Sequence, residues 1–459
     1  MSEHAVADAE LMVADVVVVG AGPGGIAAAA RAAERGLRVV VLDRGVQIGG
    51  QIWRHVPGGS VPRTARHWMA RLQASGARVI GGTSVVDARS DNHGVELLAE
   101  TSGRPLGVHA SSVILATGAR ELFIPFEGWT LPGVMGIGGA QALLKSGASF
   151  RGKRVMIAGT GPLMLPVAAA LSDAGARLVL IAEQADRGTV VRFAAGLWRN
   201  PSLLAQAARY RARFISSSYS TGTWVTAADG GDRLGGVTVT NGRRTWREAI
   251  DVLCTGYGLI PNVELARLFG CEIRDGAVVV DDQQRTSTPN VLAVGEMTGI
   301  GGAPLSITEG EIAGSTVGST AGSTVGSTVG SSLQVPQRLT HRRASLESAA
   351  RRMLDVFSPR AELRGLVTDD TIVCRCEDVK YGAVSGAACA RQAKLYTRAG
   401  MGPCQGRTCM PALEFLLAWQ SDTVRPPAEP VPVSVLSSEV ADWAPSSFLF
   451  NSSVGDVYQ

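Results

Sequence analysis

The sequence has few charged residues, and those of one sign are not clustered along the chain. Charged residues make up 18% of the 459-residue chain, the formal net charge is +4, and the arginines are scattered. Nucleic-acid-binding proteins usually carry a basic patch or stripe, so no nucleic-acid partner is expected. Because 45% of the residues are hydrophobic, the chain has enough apolar surface to form a large core and is predicted to be globular.

Long apolar runs are missing as well. No stretch approaches the roughly 20 apolar residues that cross a bilayer, so no transmembrane segment is expected. The N-terminal stretch MSEHAVADAELM has neither the basic n-region nor the apolar h-region of a secretory signal. This predicts a cytoplasmic protein, and in that compartment grouped cysteines are more often metal ligands than disulfide partners.

The sequence also lacks the motifs of several catalytic chemistries. The six histidines do not cluster, and neither an H-E-x-x-H nor a C-x-x-C motif occurs. These absences argue against a zinc protease and against the dithiol chemistry of thioredoxin-type enzymes. No catalytic acid, base or nucleophile is predicted, and electron transfer by bound cofactors is favoured instead.

The clearest motif lies near the N-terminus, in DVVVVGAGPGG. A valine strand leads into G-x-G-x-x-G over residues 20–25, and an alanine-rich helix is predicted over Ile26–Ala33. In such a turn the first glycine permits a tight bend, the second lets the backbone approach a pyrophosphate, and the third packs helix on strand. The next predicted strand, Val39–Leu42, ends at Asp43, where an acid binds a ribose hydroxyl. This order predicts a dinucleotide-binding βαβ unit.

A second unit of the same type begins near residue 154. A predicted strand over 154–158 runs into Gly159-x-Gly161, and the strand after the next helix ends at Glu183. Met164 stands in place of the third glycine. We therefore expect either the helix packing or the approach of phosphate to differ from that of the first unit.

Four cysteines near the C-terminus form two close pairs, Cys374-x-Cys376 and Cys404-x4-Cys409. Thiolates are the usual ligands of [2Fe–2S] clusters, whereas structural zinc sites usually show C-x2–4-C pairs. The pattern predicts a [2Fe–2S] cluster, with zinc or uninvolved or disulfide-bonded cysteines as the alternatives. The remaining three cysteines are predicted to be small core residues: Cys254, Cys271 and Cys389.

The order of these motifs predicts an α/β fold with two Rossmann-like dinucleotide-binding domains, one inserted in the other, and a small C-terminal [2Fe–2S] module. The repeat GSTVGSTAGSTVGSTVG over residues 314–330 is compatible with a weak helix or with a flexible linker. The predicted boundaries are 12–122 with 249–330 for the first domain, 123–248 for the second, 331–365 for a connector, 366–420 for the module and 421–459 for a tail.

Taken together, the motifs resemble the two-dinucleotide-binding-domain flavoproteins. The likeness is closest to the FAD-containing α (A/B-type) subunits of heteromeric amino-acid and opine dehydrogenases, such as opine oxidases, hydrogen cyanide synthase and hydroxyproline or proline dehydrogenases. It covers the chain apart from the repeat and the tail. The segments that carry it, in order, are GAGPGG (20–25), IGGQIWR (48–54), ATGARE (116–121), GWTLPGVMGIGGAQ (128–141), CTGYGLIPNVELARLFGC (254–271), VGEMTGIGGA (294–303) and the two cysteine pairs.

This resemblance implies a role for each matched position. The glycine turn would hold the FAD pyrophosphate, Gln51 and Ile52 would lie near the isoalloxazine ring, and Val85 would contact adenine. Glu296 stands where such proteins more often have aspartate. The implied FAD-binding residues are Gly20, Gly22, Pro23, Gly24, Gly25, Asp43, Arg44, Gln51, Ile52, Val85, Ala116, Thr117, Gly118, Gly295 and Glu296.

The resemblance also implies a division of labour between chains. A second FAD-containing, amino-acid-oxidase-like subunit would oxidise the C–N bond of an amino acid, imino acid or opine. Electrons would pass to the flavin and cluster of this chain and on to an acceptor. The resemblance also allows for a small third subunit in the complex. Gly159, Gly161 and Glu183 would then hold ATP, NAD(P) or nothing. The alternatives are a self-sufficient NAD(P)H-dependent reductase and a non-enzymatic iron–sulfur scaffold or sensor.

Overall fold

A computed structural model describes residues 10–55, 61–196, 201–318, 335–419 and 424–437, with the backbone alone at 201–204. Most of the four-residue repeat and the last part of the tail lie outside these ranges, so the expectations about them stay predictions. The strands are β1 (Glu10–Val19), β2 (Val39–Asp43), β3 (Arg78–Gly81), β4 (Thr83–Ser90), β5 (Val95–Thr101), β6 (Arg104–Leu115), β7 (Ala119–Glu121), β8 (Val134–Gly136), β9 (Arg154–Gly159), β10 (Arg177–Glu183), β11 (Ser218–Thr221), β12 (Trp224–Gly230), β13 (Leu234–Thr240), β14 (Thr245–Ala249), β15 (Val252–Gly256), β16 (Leu259–Pro261), β17 (Ile273–Arg274), β18 (Ala277–Val278), β19 (Val291–Ala293), β20 (Ile372–Cys374) and β21 (Val379–Lys380). The α-helices are α1 (Pro23–Ala33), α2 (Arg63–Ala74), α3 (Ile137–Lys145), α4 (Met164–Asp173), α5 (Arg187–Gly196), α6 (Pro201–Ala212), α7 (Glu264–Leu268), α8 (Gly302–Thr316), α9 (Gln337–Val356), α10 (Tyr381–Val384), α11 (Ala390–Thr397), α12 (Cys409–Leu417) and α13 (Val433–Leu436).

The first unit is a seven-stranded sheet in the order β3-β2-β1-β6-β5-β4, with β19 also paired to β6. The strands β3, β2, β1, β6 and β19 are parallel, and β4 and β5 continue the sheet in antiparallel fashion. The valine run of β1 is buried on both faces, as expected for a parallel strand that is covered by other elements on each side. The predicted strand–turn–helix–strand order is therefore present.

Helices α1 and α8 pack against the first sheet, and their backbones approach each other very closely. A Cβ on Gly310 of α8 would lie 2.2 Å from the carbonyl oxygen of Gly24 in α1, and one on Gly314 would lie 2.4 Å from that of Ala28. Only glycine allows backbones to approach this closely. The first residues of the repeat, Gly314–Thr316, thus continue α8, and their glycine is needed for the packing of α8 on α1.

The second unit is a five-stranded parallel sheet in the order β11-β10-β9-β15-β8. A separate antiparallel sheet, β12-β13-β14, lies beside it. Because β19 follows this unit in the sequence but pairs in the first sheet, the second Rossmann-like unit is inserted in the first, as the sequence predicted.

One expected boundary differs from the observed pairing. The sequence predicted that the first domain resumes at residue 249. In the structure, however, Val252–Gly256 pairs with β9 and β8 in the second sheet. This strand is buried on both sides, and an apolar buried strand has the same sequence signature in either sheet. The chain crosses back beside the pair formed by β7 and β16.

The rest of the chain lies on these two units. Helix α9 forms the connector, and β20, β21 and α10–α12 form a small module with its own core around Val373, Val384 and Leu413. The described tail returns to the first unit, where the amide of Ala428 donates to the carbonyl of Val86 at 2.7 Å. Within the described ranges, no helix combines the length and the hydrophobicity needed to cross a membrane.

Candidate functional site

The three glycines of the first turn do different things. A Cβ on Gly20, whose φ is +106°, would lie 2.2 Å from the carbonyl oxygen of Ala116, and one on Gly25 would lie 1.8 Å from that of Gly20. These two glycines are required by the folding of the turn itself. A Cβ on Gly22 would meet nothing within 4 Å. Gly22 therefore faces open space, which is what a backbone that approaches a pyrophosphate requires.

The acid at the end of β2 closes this turn from one side. Asp43 accepts hydrogen bonds from the amide of Ala21 at 2.5 Å and from that of Gly45 at 2.6 Å. Burial raises the pKa of Asp43, and these amides oppose the rise. Arg44 points away, since its mostly exposed side chain pairs with Glu429 at 3.4 Å. Asp43 thus lies at the turn as predicted, and Arg44 is directed toward the C-terminal segment.

A second segment reaches the turn from residues 49–52. The amide of Gly49 donates to the carbonyl of Ala21 at 2.7 Å, and a Cβ on Gly50 would lie 2.9 Å from the Cα of Gly22. This contact places Gln51 and Ile52 at the rim of the turn. The side chain of Ile52 is 50% exposed, so it is accessible from outside the fold.

The segment Ala116–Gly118 borders the turn on the opposite side. The amide of Ala116 donates to the carbonyl of Val19 at 2.8 Å. The hydroxyl of Thr117 donates to the carbonyl of Asn262 at 2.6 Å and contacts the sulfur of Met297 at 3.4 Å. Two distant parts of the chain, around Asn262 and Met297, therefore meet at this segment.

Two buried glutamates shape the last segment, Gly295–Thr298. Glu296 accepts a hydrogen bond at Oε1 from the amide of Gly302 at 2.7 Å, but its Oε2 is buried without a hydrogen-bond partner among the described residues. Burial raises the pKa of Glu296. A buried polar atom normally has a partner. An unpaired carboxylate oxygen beside the open turn is suited to a polyhydroxylated ligand, so the residues present fit FAD.

Glu309, on α8, was not predicted from the sequence. Its Oε2 accepts from the amide of Gly295 at 2.6 Å and from the hydroxyl of Thr298 at 3.1 Å. Burial raises the pKa of this carboxyl group to about 7. An acid within the apolar helical stretch ITEGEIAG was the available signal, because charged residues are rarely buried without a partner.

The remaining predicted positions lie close to this centre or beneath it. Pro23 begins α1, and a Cβ on Gly24 would lie 3.7 Å from the Cα of Gly295. Val85 is buried in β4, in the hydrophobic core of the first sheet. The structure thus brings the segments at 20–25, 43, 49–52, 116–118 and 295–296 together around one turn, whereas Val85 lies in the sheet that supports it.

The second glycine turn has a similar backbone and different surroundings. A Cβ on Gly159 would lie 1.9 Å from the carbonyl oxygen of Gly256, which parallels Gly20. A Cβ on Gly161, however, would lie 3.5 Å from the Cβ of Phe357. Glu183 is 0% exposed, and its two oxygens accept from the amides of Gly161 and Ala185, each at 2.9 Å. Burial raises the pKa of Glu183.

The helix after this turn also begins later. Helix α1 starts at the residue directly after Gly22, whereas α4 starts at Met164. Met164 is completely buried. The missing third glycine therefore moves the helix N-terminus, the usual phosphate-binding end, away from the second glycine.

The connector covers the same turn. The ring of Phe357 stacks edge-on against Phe193 with 5.0 Å between ring centroids. Gln184, the residue after Glu183, donates to the carbonyl of Ser358 at 2.9 Å and accepts from the amide of Arg360 at 3.1 Å. Residues 357–360 thus lie where a nucleotide bound to the second unit would enter.

The four predicted cluster ligands come together in the C-terminal module. Cys376 and Cys404 are in hydrogen-bond contact, and so are Cys374 and Cys409. Although burial opposes ionisation of Cys404, hydrogen bonds from Thr408 and the other donors around it hold the pKa of this thiol below its usual value. Burial raises the pKa of the neighbouring thiols Cys376 and Cys409.

The donor set is two thiol pairs. In the part of the chain that the structure describes, no three His, Cys, Asp or Glu side chains are grouped so that they could hold a metal ion. The four thiols therefore lie as two neighbouring pairs. A Cβ on Gly402 would lie 2.3 Å from the Cβ of Cys376, so glycine is needed beside this thiol.

The other three cysteines differ in burial. Cys254 and Cys271 are buried, as predicted, whereas Cys389 is exposed. The prediction for Cys389 was wrong because it rested on the neighbouring alanines, and Cys389 is the residue before α11, at the surface of the module.

A model of the pyridine nucleotide-disulphide oxidoreductase family matches residues 14–311. The A subunit of opine oxidase from Rhizobium meliloti is 32% identical over 93% of this chain and 98% of its own length. The hydrogen cyanide synthase subunit HcnB of Pseudomonas protegens is 31% identical over 86% of this chain and 90% of its own. The solved structure of L-proline dehydrogenase from P. horikoshii has the same fold, with a TM-score of 0.65, 18% identity and coverage of 94% of this chain and 80% of that chain.

Proposed function

The chain belongs to the pyridine nucleotide-disulphide oxidoreductase family, and from this premise we propose that it is the FAD- and [2Fe–2S]-carrying electron-transfer subunit of a heteromeric dehydrogenase. It is a flavin-dependent oxidoreductase with two dinucleotide-binding units. The proposed complex oxidises the C–N bond of an amino acid, imino acid or opine on a partner flavin subunit, and this chain passes the electrons to an acceptor.

The observation that carries the proposal is the match with the A subunit of opine oxidase, which spans 93% of this chain and 98% of the relative. A match of this extent includes residues outside 14–311, the part that the family model covers. Both this relative and HcnB are named as subunits. The proposal takes from these names the heteromeric assembly and the class of donor.

The residues of the first turn would bind and orient FAD, which supplies the redox chemistry once bound. Gly22 leaves room for the pyrophosphate, and Asp43 closes the adenosine side of the turn. Glu296 would accept a hydrogen bond from the ribityl chain at its unpaired Oε2. Glu309 holds Gly295 and Thr298 in place beneath it. Ile52, at the exposed rim of the turn, would lie near the isoalloxazine ring.

The alternative is a self-sufficient NAD(P)H-dependent reductase. It draws on the second unit, which keeps both glycines of the turn and the acid Glu183. Three features count against it: Phe357 lies over Gly161, Glu183 is fully buried, and α4 begins away from the turn. ATP binding at this site is disfavoured for the same reasons.

Iron and sulfide analysis tests the cluster. The wild-type chain, purified anaerobically, is expected to hold about two irons and two acid-labile sulfides per flavin. Replacing any one of the four cysteines Cys374, Cys376, Cys404 and Cys409 with serine is expected to remove most of the iron. FAD content is expected to stay unchanged, since the flavin turn is in another unit.

Cys389→Ser is the matched control, because Cys389 is an exposed cysteine of the same module. It is expected to keep the full iron and sulfide content. Zinc in place of iron, or iron that survives all four substitutions, would overturn the assignment of the cluster. The flavin part of the proposal would be unaffected by either result.

A further inference from the structure

Arg120 connects three parts of the molecule. It lies in β7, between the flavin-bordering segment Ala116–Gly118 and the second unit. Its Nη1 donates to Asn262 at 2.6 Å and pairs with Glu264 at 2.8 Å. Its Nε donates to the carbonyl of Arg407 at 3.0 Å, which lies between Cys404 and Cys409. We infer that Arg120 is a positioning residue that fixes the cysteine loop 404–409 against the segment that borders the flavin.

On the flavin side, Asn262 is held to the segment Ala116–Gly118 by several short hydrogen bonds. Asn262 donates from its side-chain amide to the carbonyl of Thr117 at 2.9 Å, and its own carbonyl accepts from the hydroxyl of Thr117 at 2.6 Å. The amide of Asn262 also donates to the carbonyl of Gly118 at 2.9 Å. Three hydrogen bonds therefore hold Asn262 to this segment, and Arg120 connects Asn262 to the cysteine loop.

The cysteine loop 404–409 is a tight turn. A bond that fixes the carbonyl of Arg407 therefore also restricts the residues next to it. The amide of Arg407 donates to the carbonyl of Cys404 at 3.0 Å. Gln405 and Gly406 both have positive φ, +50° and +81°, and such a turn has few alternative backbone conformations. A displacement of the Arg407 carbonyl would therefore move Cys404 and Cys409 together.

The side chain of Arg407 provides a second attachment. It donates to the carbonyl of Ala428 and pairs with Glu429 at 3.1 Å. Glu429 in turn contacts Arg44, the residue after Asp43. Arg120 thus holds the loop to the segment Ala116–Gly118, and Arg407 connects it through Glu429 to the residue after Asp43.

The chemistry of arginine suits this role. A guanidinium group is always charged and presents several donors in one plane. Arg120 uses them on three acceptors at once, and a lysine ammonium cannot reproduce that geometry. Hydrogen bonds with a charged donor are stronger than neutral ones. Arg120→Lys keeps the charge but loses the fork, and Arg120→Gln loses both.

This inference rests on the proposed function. Two successive one-electron transfers would reoxidise the reduced flavin, each reducing the cluster by one electron that the acceptor then removes, with the flavin's protons released to water. A fixed loop keeps the donor and acceptor at constant separation. Without Arg120, the loop is expected to leave its docked position about ten times more often, because a charge-assisted hydrogen bond is lost.

The test uses the full chain with Arg120→Gln and Arg120→Lys. The control is Arg364→Gln, which removes the bond from Arg364 to the carbonyl of Phe415 at 2.9 Å, a contact of the module that does not involve the flavin segment. The first readout is amide hydrogen exchange across residues 400–410. Exchange is expected to be about tenfold faster in both Arg120 variants and unchanged in the control.

The second readout is the rate at which a photoreduced flavin passes electrons to the cluster, followed by absorbance. Both Arg120 variants are expected to be slower than the wild type and the Arg364→Gln control, because the loop spends more time away from the flavin segment, with unchanged iron and FAD content. Equal rates and equal exchange in the Arg120 variants, with both cofactors present, would overturn the inference. A chain without iron–sulfur absorbance would instead refute the proposed cluster, while the exchange experiment would still test the contact.

Discussion

The two glycine turns of this chain share a motif and differ in what covers them. In both, the first glycine is required by a close backbone contact, and an acid at the end of the next strand accepts a backbone amide from the turn. In the first turn the second glycine faces open space. In the second turn it faces Phe357, which is more than 190 residues away in the sequence. The motif therefore predicts the local fold, and a distant segment decides whether a ligand has room.

The acids show the same contrast. Both acids accept backbone amides at both oxygens, but Asp43 is partly exposed at the open turn, whereas Glu183 is 0% exposed. A ribose needs an accessible acceptor. Burial raises the pKa of both acids, but only Asp43 can still reach a ligand. The proposed function therefore assigns cofactor binding to the first Rossmann-like unit and support of the connector to the second.

The largest effect is expected from alanine at the second glycine of each turn. Gly22→Ala places a methyl group where the pyrophosphate would lie, and FAD affinity is expected to fall about 10- to 100-fold. Gly22 has φ −76°, so the substitution should not strain the backbone. Flavin content after gel filtration, together with thermal unfolding of the apoprotein, measures both effects.

Gly161→Ala is the matched variant of the second turn. Because Gly161 has φ +91°, it is expected to lose about 1–2 kcal/mol of stability through backbone strain while keeping its FAD. If Gly22→Ala retained full flavin and Gly161→Ala lost it, the assignment of the two turns would have to be reversed.

A smaller effect is expected from opening the second turn. Phe357→Ala removes the ring over Gly161 and is expected to cost about 2 kcal/mol, since the ring is only partly buried. Binding of a fluorescent adenine nucleotide, undetectable in the wild-type chain, is expected to appear in this variant. Equilibrium unfolding and fluorescence anisotropy give the two readouts.

Phe193→Ala is the control for that variant. It removes the edge-on ring contact, worth about 0.5–1.5 kcal/mol, but leaves Gly161 covered. Nucleotide binding equal to that of Phe357→Ala would mean that Phe357 does not by itself close the site. Strong binding to the wild-type chain would refute the closure altogether.

The first unit also carries a pH dependence of stability. Burial raises the pKa of Glu309 to about 7, above the value of about 4.3 in an unfolded chain. Between these values the folded state binds more protons than the unfolded state. Stability is therefore expected to fall as pH rises from about 4.5 to 7, by up to about 1 kcal/mol per pH unit.

Glu309→Gln is expected to remove that slope and leave the remaining pH dependence in place. The measurement is the free energy of unfolding by denaturant at several pH values. Glu10→Gln is the control, since Glu10 is an exposed carboxylate of the same unit, in β1. An unchanged slope in Glu309→Gln would show that Glu309 titrates in its ordinary range.

Much of the fold follows from local sequence. The valine strand, the glycine turn, the alanine-rich helix and Asp43 are adjacent in the sequence, so their arrangement is fixed by short-range geometry. The features that were missed depend on distant packing. The residue over Gly161, the carboxyl group under Gly295 and the contact between Arg120 and Arg407 each join segments that no local pattern relates.

The strand Val252–Gly256 shows the same limit for topology. Its apolar residues correctly indicated a buried strand, but nothing in them distinguishes the second sheet from the first. The four cysteines of the module were predicted to converge as two sequence pairs, and the structure places Cys376 beside Cys404 and Cys374 beside Cys409, a pairing that their spacing did not specify. Cys389 was predicted to lie in the core, but it is exposed.

The central claim is that electrons do not enter through the second unit. An anaerobic titration of the purified chain with NADH and then NADPH, followed by the flavin and iron–sulfur absorbance bands, tests it most directly. We expect neither donor to bleach the bands, and dithionite to bleach both. Prompt, stoichiometric bleaching by either nicotinamide would show that Gly159–Glu183 is a working donor site and would contradict the account.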